Sequence, residues 1–218
     1  LVEQDAARRS DWEREASRLV DEAEASSEPG VKTARYLAAA EVAYRYGRTQ
    51  PGELDRILKD LGNALQADPT NHKAALLSER IAASRSDLAL AARMQKLALA
   101  SSASAEERIG LASRLLESSR ALNDAGELAE ALEATLEPLP ASPETLTRLA
   151  EAYKASKRWE SLGHLLEHRL GDPSLSASEQ VSLCLELGEL HAKGRADAAA
   201  AEPWFERVRA LAPAHPDM

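Results

Sequence analysis

A chain of 218 residues with 44% hydrophobic and 29% charged side chains has a folding rather than a disordered composition, at a length that suits one or two ordinary domains or a single solenoid. Ala, Leu, Glu and Arg dominate and aromatics make up 4%, so helix is favoured and little or no sheet is expected. The formal net charge of -9 argues against nonspecific binding to nucleic acid or to anionic membranes as the main role.

No apolar run approaches the ~18–20 residues of a membrane span, so no membrane insertion is expected. Cys184 is the single cysteine, which rules out an intrachain disulfide and fits a reducing compartment. No signal-peptide pattern opens the chain, which begins at Leu1 rather than Met. The expected setting is cytoplasmic, with a periplasmic one left open because a leader could precede Leu1.

The first predicted helix spans 10–26. Ser10 to Glu13 has a capping-box pattern, and Trp12, Ala16, Leu19, Val20 and Ala23 form an apolar stripe. Glu28-Pro29-Gly30 breaks it, and a helix over 31–47 follows with Tyr36, Ala39, Ala40 and Ala43 on one side. After a turn at Thr49 to Gly52 comes a helix over 54–67, stopped by Asp68-Pro69. A pair over 71–85 and 87–101 turns at Ser84-Arg85-Ser86. A helix over 104–122 opens on a second capping-box pattern, Ser104 to Glu107, and one over 127–136 stops near Pro138 and Pro140. Ser142 can cap the next helix, with Pro143 at its first position and Leu146, Leu149, Ala150 and Tyr153 on its apolar face. Beyond the turn at Ser156-Lys157-Arg158, Trp159, Leu162, Leu165, Leu166 and Leu170 form a second face, closed by Gly171-Asp172-Pro173. Ser176 to Glu179 is a third capping-box pattern, starting a helix through Leu183, Leu187, Gly188 and His191, and a last helix over 198–211 ends at Pro213.

Repetition organises these elements. Helix pairs end at Pro69, Pro140, Pro173 and Pro213, with an unpunctuated end near Ser101. Ile57, Leu61, Ala64 and Pro69 share one spacing with Leu128, Leu132, Thr135 and Pro140, and with Ala201, Phe205, Val208 and Pro213. Trp12-Glu13 matches Trp159-Glu160, and Gly47-Arg48 matches Gly194-Arg195, both at one offset (159 − 12 = 147; 194 − 47 = 147). The chain thereby resembles the tetratricopeptide-repeat family, in a divergent bacterial-type form, whose repeats are ~34 residues long. That resemblance implies an all-α fold, a right-handed superhelix of stacked antiparallel helix pairs filling 1–218. Its approximate repeats are 31–69, 70–102, 104–140, 142–173 and 176–213, with 10–26 the second helix of an incomplete preceding repeat. The longer turns at Thr49–Gly52 and Lys193–Ala200 predict irregular repeats. Neither end reads as a polar capping helix, and Ala214 to Met218 reads as a linker, so a longer repeat protein is expected.

The sharpest chemical motif is His164-Leu165-Leu166-Glu167-His168, which fits a zinc-peptidase pattern with both His on one helix face. A zinc-dependent hydrolase through His164 and His168 is the lesser reading, because such a site also needs a third ligand and a base, and the repeat already accounts for the helix. No nucleophile elbow, glycine-rich phosphate loop or paired-cysteine site is present. No catalytic residue, metal or cofactor is expected. Cys184, Trp12, Trp159 and Trp204 read as packing residues.

The resemblance implies binding on a groove lined by the first helices of each pair. Aligned on Ala40, Ser78, Ser113, Ala150 and Gly188, those helices next carry Glu41, Glu79, Arg114, Glu151 and Glu189, an acidic ladder suited to a basic protein segment. Tyr44 is a further candidate contact, with Tyr46 near the same wall. The plainer reading pairs Glu41 with Arg45, Glu151 with Lys154 and Glu189 with Lys193 within their helices. A scaffold or adaptor that docks protein partners without catalysis is expected. The alternative is a spacer or self-association module acting through unfinished solenoid ends.

Overall fold

The computed structural model describes residues 2–50, 52–136 and 142–213, with side chains from Asp11 onward. Among these the chain is all helix, without a strand. It divides into two compact units, Leu1–Asn123 with Ala134–Leu139, and Asp124–Glu133 with Pro140–Met218.

The first unit contains α1 (Val2–Ala25), α2 (Pro29–Gly47), α3 (Glu53–Ala67), α4 (His72–Ser84), α5 (Leu88–Ser101) and α6 (Ala105–Leu122). Each helix packs on the next in sequence. Alanine makes this possible. Ala39, Ala40, Ala43, Ala64, Ala74, Ala75, Ala82, Ala91, Ala92 and Ala98 are all buried, so neighbouring backbones come close, and Tyr36, Ile57, Leu61 and Ile81 fill the space between. Side chains begin the helices where the sequence predicts. The Asn71, Asp87 and Ser104 side chains accept from the N–H groups of Ala74, Leu90 and Glu107. Gly52, at φ +77°, supplies the left-handed backbone that opens α3. His72 links three helices: its Nδ1 lies 3.1 Å from the Ala98 carbonyl and from Ser101 Oγ, and its Nε2 is 3.1 Å from Glu107 Oε1, an ion-pair distance without hydrogen-bond alignment.

The second unit contains α7 (Ala125–Thr135, to Glu133), α8 (Pro143–Ala155), α9 (Trp159–Leu170), α10 (Ala177–Glu189) and α11 (Ala198–Leu211). A π-helical turn, Leu190–Gly194, extends α10. Here α8 packs on α9, α9 on α10 and α10 on α11. Glu133 of α7 is the polar anchor. It accepts from Tyr153 Oη at 2.5 Å and from both terminal nitrogens of Arg158 at 2.8 and 3.3 Å, while the Arg158 guanidinium also lies over the Tyr153 ring. Burial first, and the adjacent carboxylate second, push the Tyr153 phenol well above its ordinary pKa. Cys184 is buried, and burial raises its thiol pKa as well, so it is a packing residue held as a thiol.

Several expectations are corrected. Helix α1 runs unbroken from Val2, because residues 2–9 contain no glycine or proline, and Ser10 therefore lies inside a helix rather than capping one. Pro29 opens α2 rather than separating it from α1, since its missing N–H costs nothing at a first-turn position. The Ser176–Glu179 box forms in both directions, whereas Ser104–Glu107 forms only half: the Glu107 carboxylate accepts from Ser102 Oγ and faces His72 instead. Pro140 and residues 214–218, read as a repeat end and a linker, lie outside the described residues.

Candidate functional site

A groove of about 700 Å³ opens in the first unit between α2 and α4. Ala38, Val42, Leu76 and Leu77 form its apolar floor. Around them stand Tyr44, Arg45, Tyr46 and Arg48 from the end of α2, Lys73 and Arg80 from α4, and Glu41. α2 supplies its residues at helical spacing because Tyr36, Ala39, Ala40 and Ala43 hold the opposite stripe in the core. Tyr46 is 58% exposed, a large aromatic facing water at the groove. Arg48 lies 5.3 Å above the Tyr44 ring, which fixes both side chains at the groove's edge.

Of the residues named from sequence, Glu41, Tyr44 and Arg45 do line this groove together. The others do not join them. Glu79 is turned inward, 12% exposed at its side chain, and is held by Arg114 Nε at 3.2 Å and Gln95 Nε2 at 3.2 Å. The α6 register also differs from expectation. Ala112 is the buried small residue and Ser113 is exposed, its hydroxyl donating to the Ile109 carbonyl, so Arg114 does not occupy the position of Glu41. In the second unit Glu151 and Glu189 are exposed. Glu189 pairs with Lys193 at 2.9 Å as expected, but Lys154 reaches Glu186 of α10 at 3.5 Å rather than Glu151.

The acidic ladder is therefore not the character of this groove. Glu79 is neutralised, and Arg45, Arg48, Lys73 and Arg80 outnumber Glu41 by four to one. Sequence reasoning missed Arg48, Lys73 and Arg80. They were findable, since Lys73 and Arg80 sit seven residues apart on α4, two turns along one face.

His164 and His168 are both exposed on α9. Among the described residues no group of three or more His, Cys, Asp or Glu could hold a metal ion, and no helix is long and apolar enough to cross a membrane.

The structure is all-α and built of packed helix pairs, and the second-helix spacing repeated in the sequence is a spacing of buried positions. Ile57, Leu61 and Ala64, then Leu132 and Thr135, then Ala201 and Val208 are the buried members of the repeated second-helix pattern. Solved structures similar to this chain include the MamA protein (16% identity, 84% of this chain and 92% of that one, TM-score 0.37). YrrB, titled a TPR protein with an unusual peptide-binding site, is similar at 14% identity over 92% of this chain and 93% of that one, with TM-score 0.36. BtubC (BKLC) from P. vanneervenii is similar at 17% identity over 99% and 83%, with TM-score 0.29. No family model and no curated protein matches the sequence.

Proposed function

We propose that this chain is a non-catalytic, cytoplasmic protein-interaction scaffold that receives a partner segment in the α2–α4 groove. The observation that carries this reading is the groove itself: an apolar floor rimmed by exposed charged side chains and by Tyr44 and Tyr46. Aromatic and arginine side chains around a small apolar floor are the residue types that dominate binding energy at protein interfaces.

The test is a photoreactive phenylalanine derivative placed at position 46, with the same probe at position 164 on α9 as control. Irradiation in native lysate is expected to give a discrete heteromeric adduct from position 46, lost when Tyr44→Ala and Leu77→Asp are added, and none from position 164. Equal labelling from both positions would overturn the reading. An adduct of twice the chain mass would support the self-association module in its place. A basic segment remains the second reading for the second unit alone, favoured by the exposed Glu151 whose neighbour Lys154 is drawn to Glu186. A Glu151→Ala variant that retains every partner would end it.

A further inference from the structure

We infer that the segment received by the α2–α4 groove is acidic, with an apolar residue between its carboxylates; this rests on the scaffold reading above. Arg18, Arg35, Arg56, Arg85 and Arg114 each hold a carboxylate, as expected in a chain with 27 basic and 36 acidic residues. Arg45, Arg48, Lys73 and Arg80 do not, and neither, among the described residues, do Lys32, Lys59, Arg93 and Arg120, but the first four are set apart by lining one groove together. Among the described residues none of the four is placed in an ion pair, although carboxylates are in excess over the whole chain. Four cations against Glu41 leave the groove at +3 (4 − 1 = 3) on a protein of net charge -9. A positive patch on an otherwise acidic surface attracts carboxylates where its own field dominates, within about a Debye length, and so selects an acidic guest at the groove.

Spacing argues for a chain segment rather than a single anion. Lys73 and Arg80 lie two helical turns apart, roughly 10 Å along α4, and Arg45 and Arg48 one turn apart on the facing wall. Cations spread along two walls meet successive carboxylates of an extended strand, where a lone phosphate would need them converging on one point. Val42, Leu76 and Leu77 lie between the walls and accept an apolar side chain, with Tyr44 held beneath Arg48 at the rim. Nucleic acid is the less suited polyanion, since the rest of a chain at -9 repels a long phosphate backbone.

Fluorescence anisotropy tests the inference with a labelled dodecapeptide in which Glu and Asp flank two Leu and one Phe. The comparison probes are its Gln/Asn counterpart and a short single-stranded oligonucleotide. The acidic peptide is expected to bind at least ten-fold more tightly than its neutral counterpart, and to weaken steadily as salt rises. The combined Arg45→Glu, Arg48→Glu, Lys73→Glu and Arg80→Glu variant is expected to lose that preference. All four side chains are exposed, so circular dichroism is expected to match the parent. Glu41→Gln alone is expected to tighten binding two- to three-fold. Equal affinity for the acidic and neutral peptides, or an unchanged affinity in the charge-reversed variant, overturns the inference, as does an oligonucleotide that binds as tightly as the acidic peptide. If the acidic preference is absent while cross-linking from position 46 persists, the charge inference alone falls; if both are absent, the scaffold reading falls with it.

Discussion

The same tryptophan–glycine contact is built twice, once in each unit, and its surroundings differ. In the first unit Trp12 of α1 packs on Gly47 at the end of α2, where an added Cβ would stand 2.4 Å from the indole Cη2. In the second, Trp159 of α9 packs on Gly194 after α10, where an added Cβ would stand 3.1 Å from the indole Cδ2. Trp12 is 7% exposed and Trp159 is half-buried. The helices leading to the two glycines also differ. The buried set Tyr36, Ala39, Ala40 and Ala43 corresponds to Cys184, Leu187, Gly188 and His191 at an offset of 148 (184 − 36 = 148), whereas the glycines stand 147 apart (194 − 47 = 147). The one-residue slip falls within the π-helical turn Leu190–Gly194, closed by the Arg195 N–H on the Leu190 carbonyl. A repeat can thus keep a contact while changing the helix that delivers it.

Removing the indoles breaks this comparison most severely. Trp12→Ala is expected to cost the first unit about 3–5 kcal/mol, the range for truncating a buried aromatic. Trp159→Ala is expected to cost less than half as much, because much of that ring already meets solvent. Urea unfolding followed by far-UV circular dichroism reads both. Equal losses would mean that the two contacts are energetically the same despite their burial.

Filling the glycines gives the next largest effect. Gly47→Ala drives a methyl into the indole of Trp12 and is expected to cost ~1–3 kcal/mol, the usual range for overpacking. At Gly194 the contact is looser, so Gly194→Ala is expected to stay below ~1 kcal/mol, offset in part by alanine's better helix propensity. A second experiment pairs each change with its tryptophan: in Trp12→Ala the cost of Gly47→Ala should vanish, as a double-mutant cycle would show.

The second helices of the two glycine-bearing pairs differ in a way that pH exposes. In the shared spacing, Asp60 precedes Leu61 as Trp204 precedes Phe205. Asp60 is buried, and burial raises its carboxyl pKa, while Trp204 packs against Val181, Cys184 and Val208. With the folded pKa above the unfolded one, the folded state holds the proton longer, so the first unit loses stability as pH rises from the ordinary carboxylate range through the raised value. Asp60→Asn is expected to remove that decline and to be the more stable protein at pH 7, with little difference below the ordinary carboxylate pKa. Thermal unfolding across pH checks the sign.

Much of the fold was legible because it depends on local chemistry. Asn71, Asp87, Ser142 and Ser176 cap the helices their positions imply, and the matched Trp and Gly residues marked a repetition, though not that each Trp packs on its Gly. The site was less legible, because its sign depends on how side chains from separate helices sort themselves. Glu79 reads as an exposed carboxylate until Arg114, 35 residues away, is seen to hold it. A one-residue choice between Ala112 and Ser113 moved Arg114 onto the wrong face. Glu107 was read as a local cap because nothing in its own helix announces His72.

The smallest expected effect separates structural from functional duty at one repeated position. Each contact glycine is followed by an arginine. In the second unit Arg195 Nη2 donates to the Trp159 carbonyl at 3.3 Å, closing the tryptophan–glycine contact. In the first unit Arg48 lies over Tyr44 and faces the groove instead. Arg195→Ala is expected to cost below ~1 kcal/mol, since the bond is long and solvent-exposed, and to shift the Trp159 emission. Arg48→Ala is expected to cost about 0.5 kcal/mol, the value of an exposed cation–π contact, to leave the Trp12 emission unchanged, and to weaken the acidic peptide several-fold. A shifted Trp12 emission in Arg48→Ala would give both arginines the same structural duty. An unmoved Trp12 with weakened binding would show that one copy of the repeat released its arginine from packing to serve the groove.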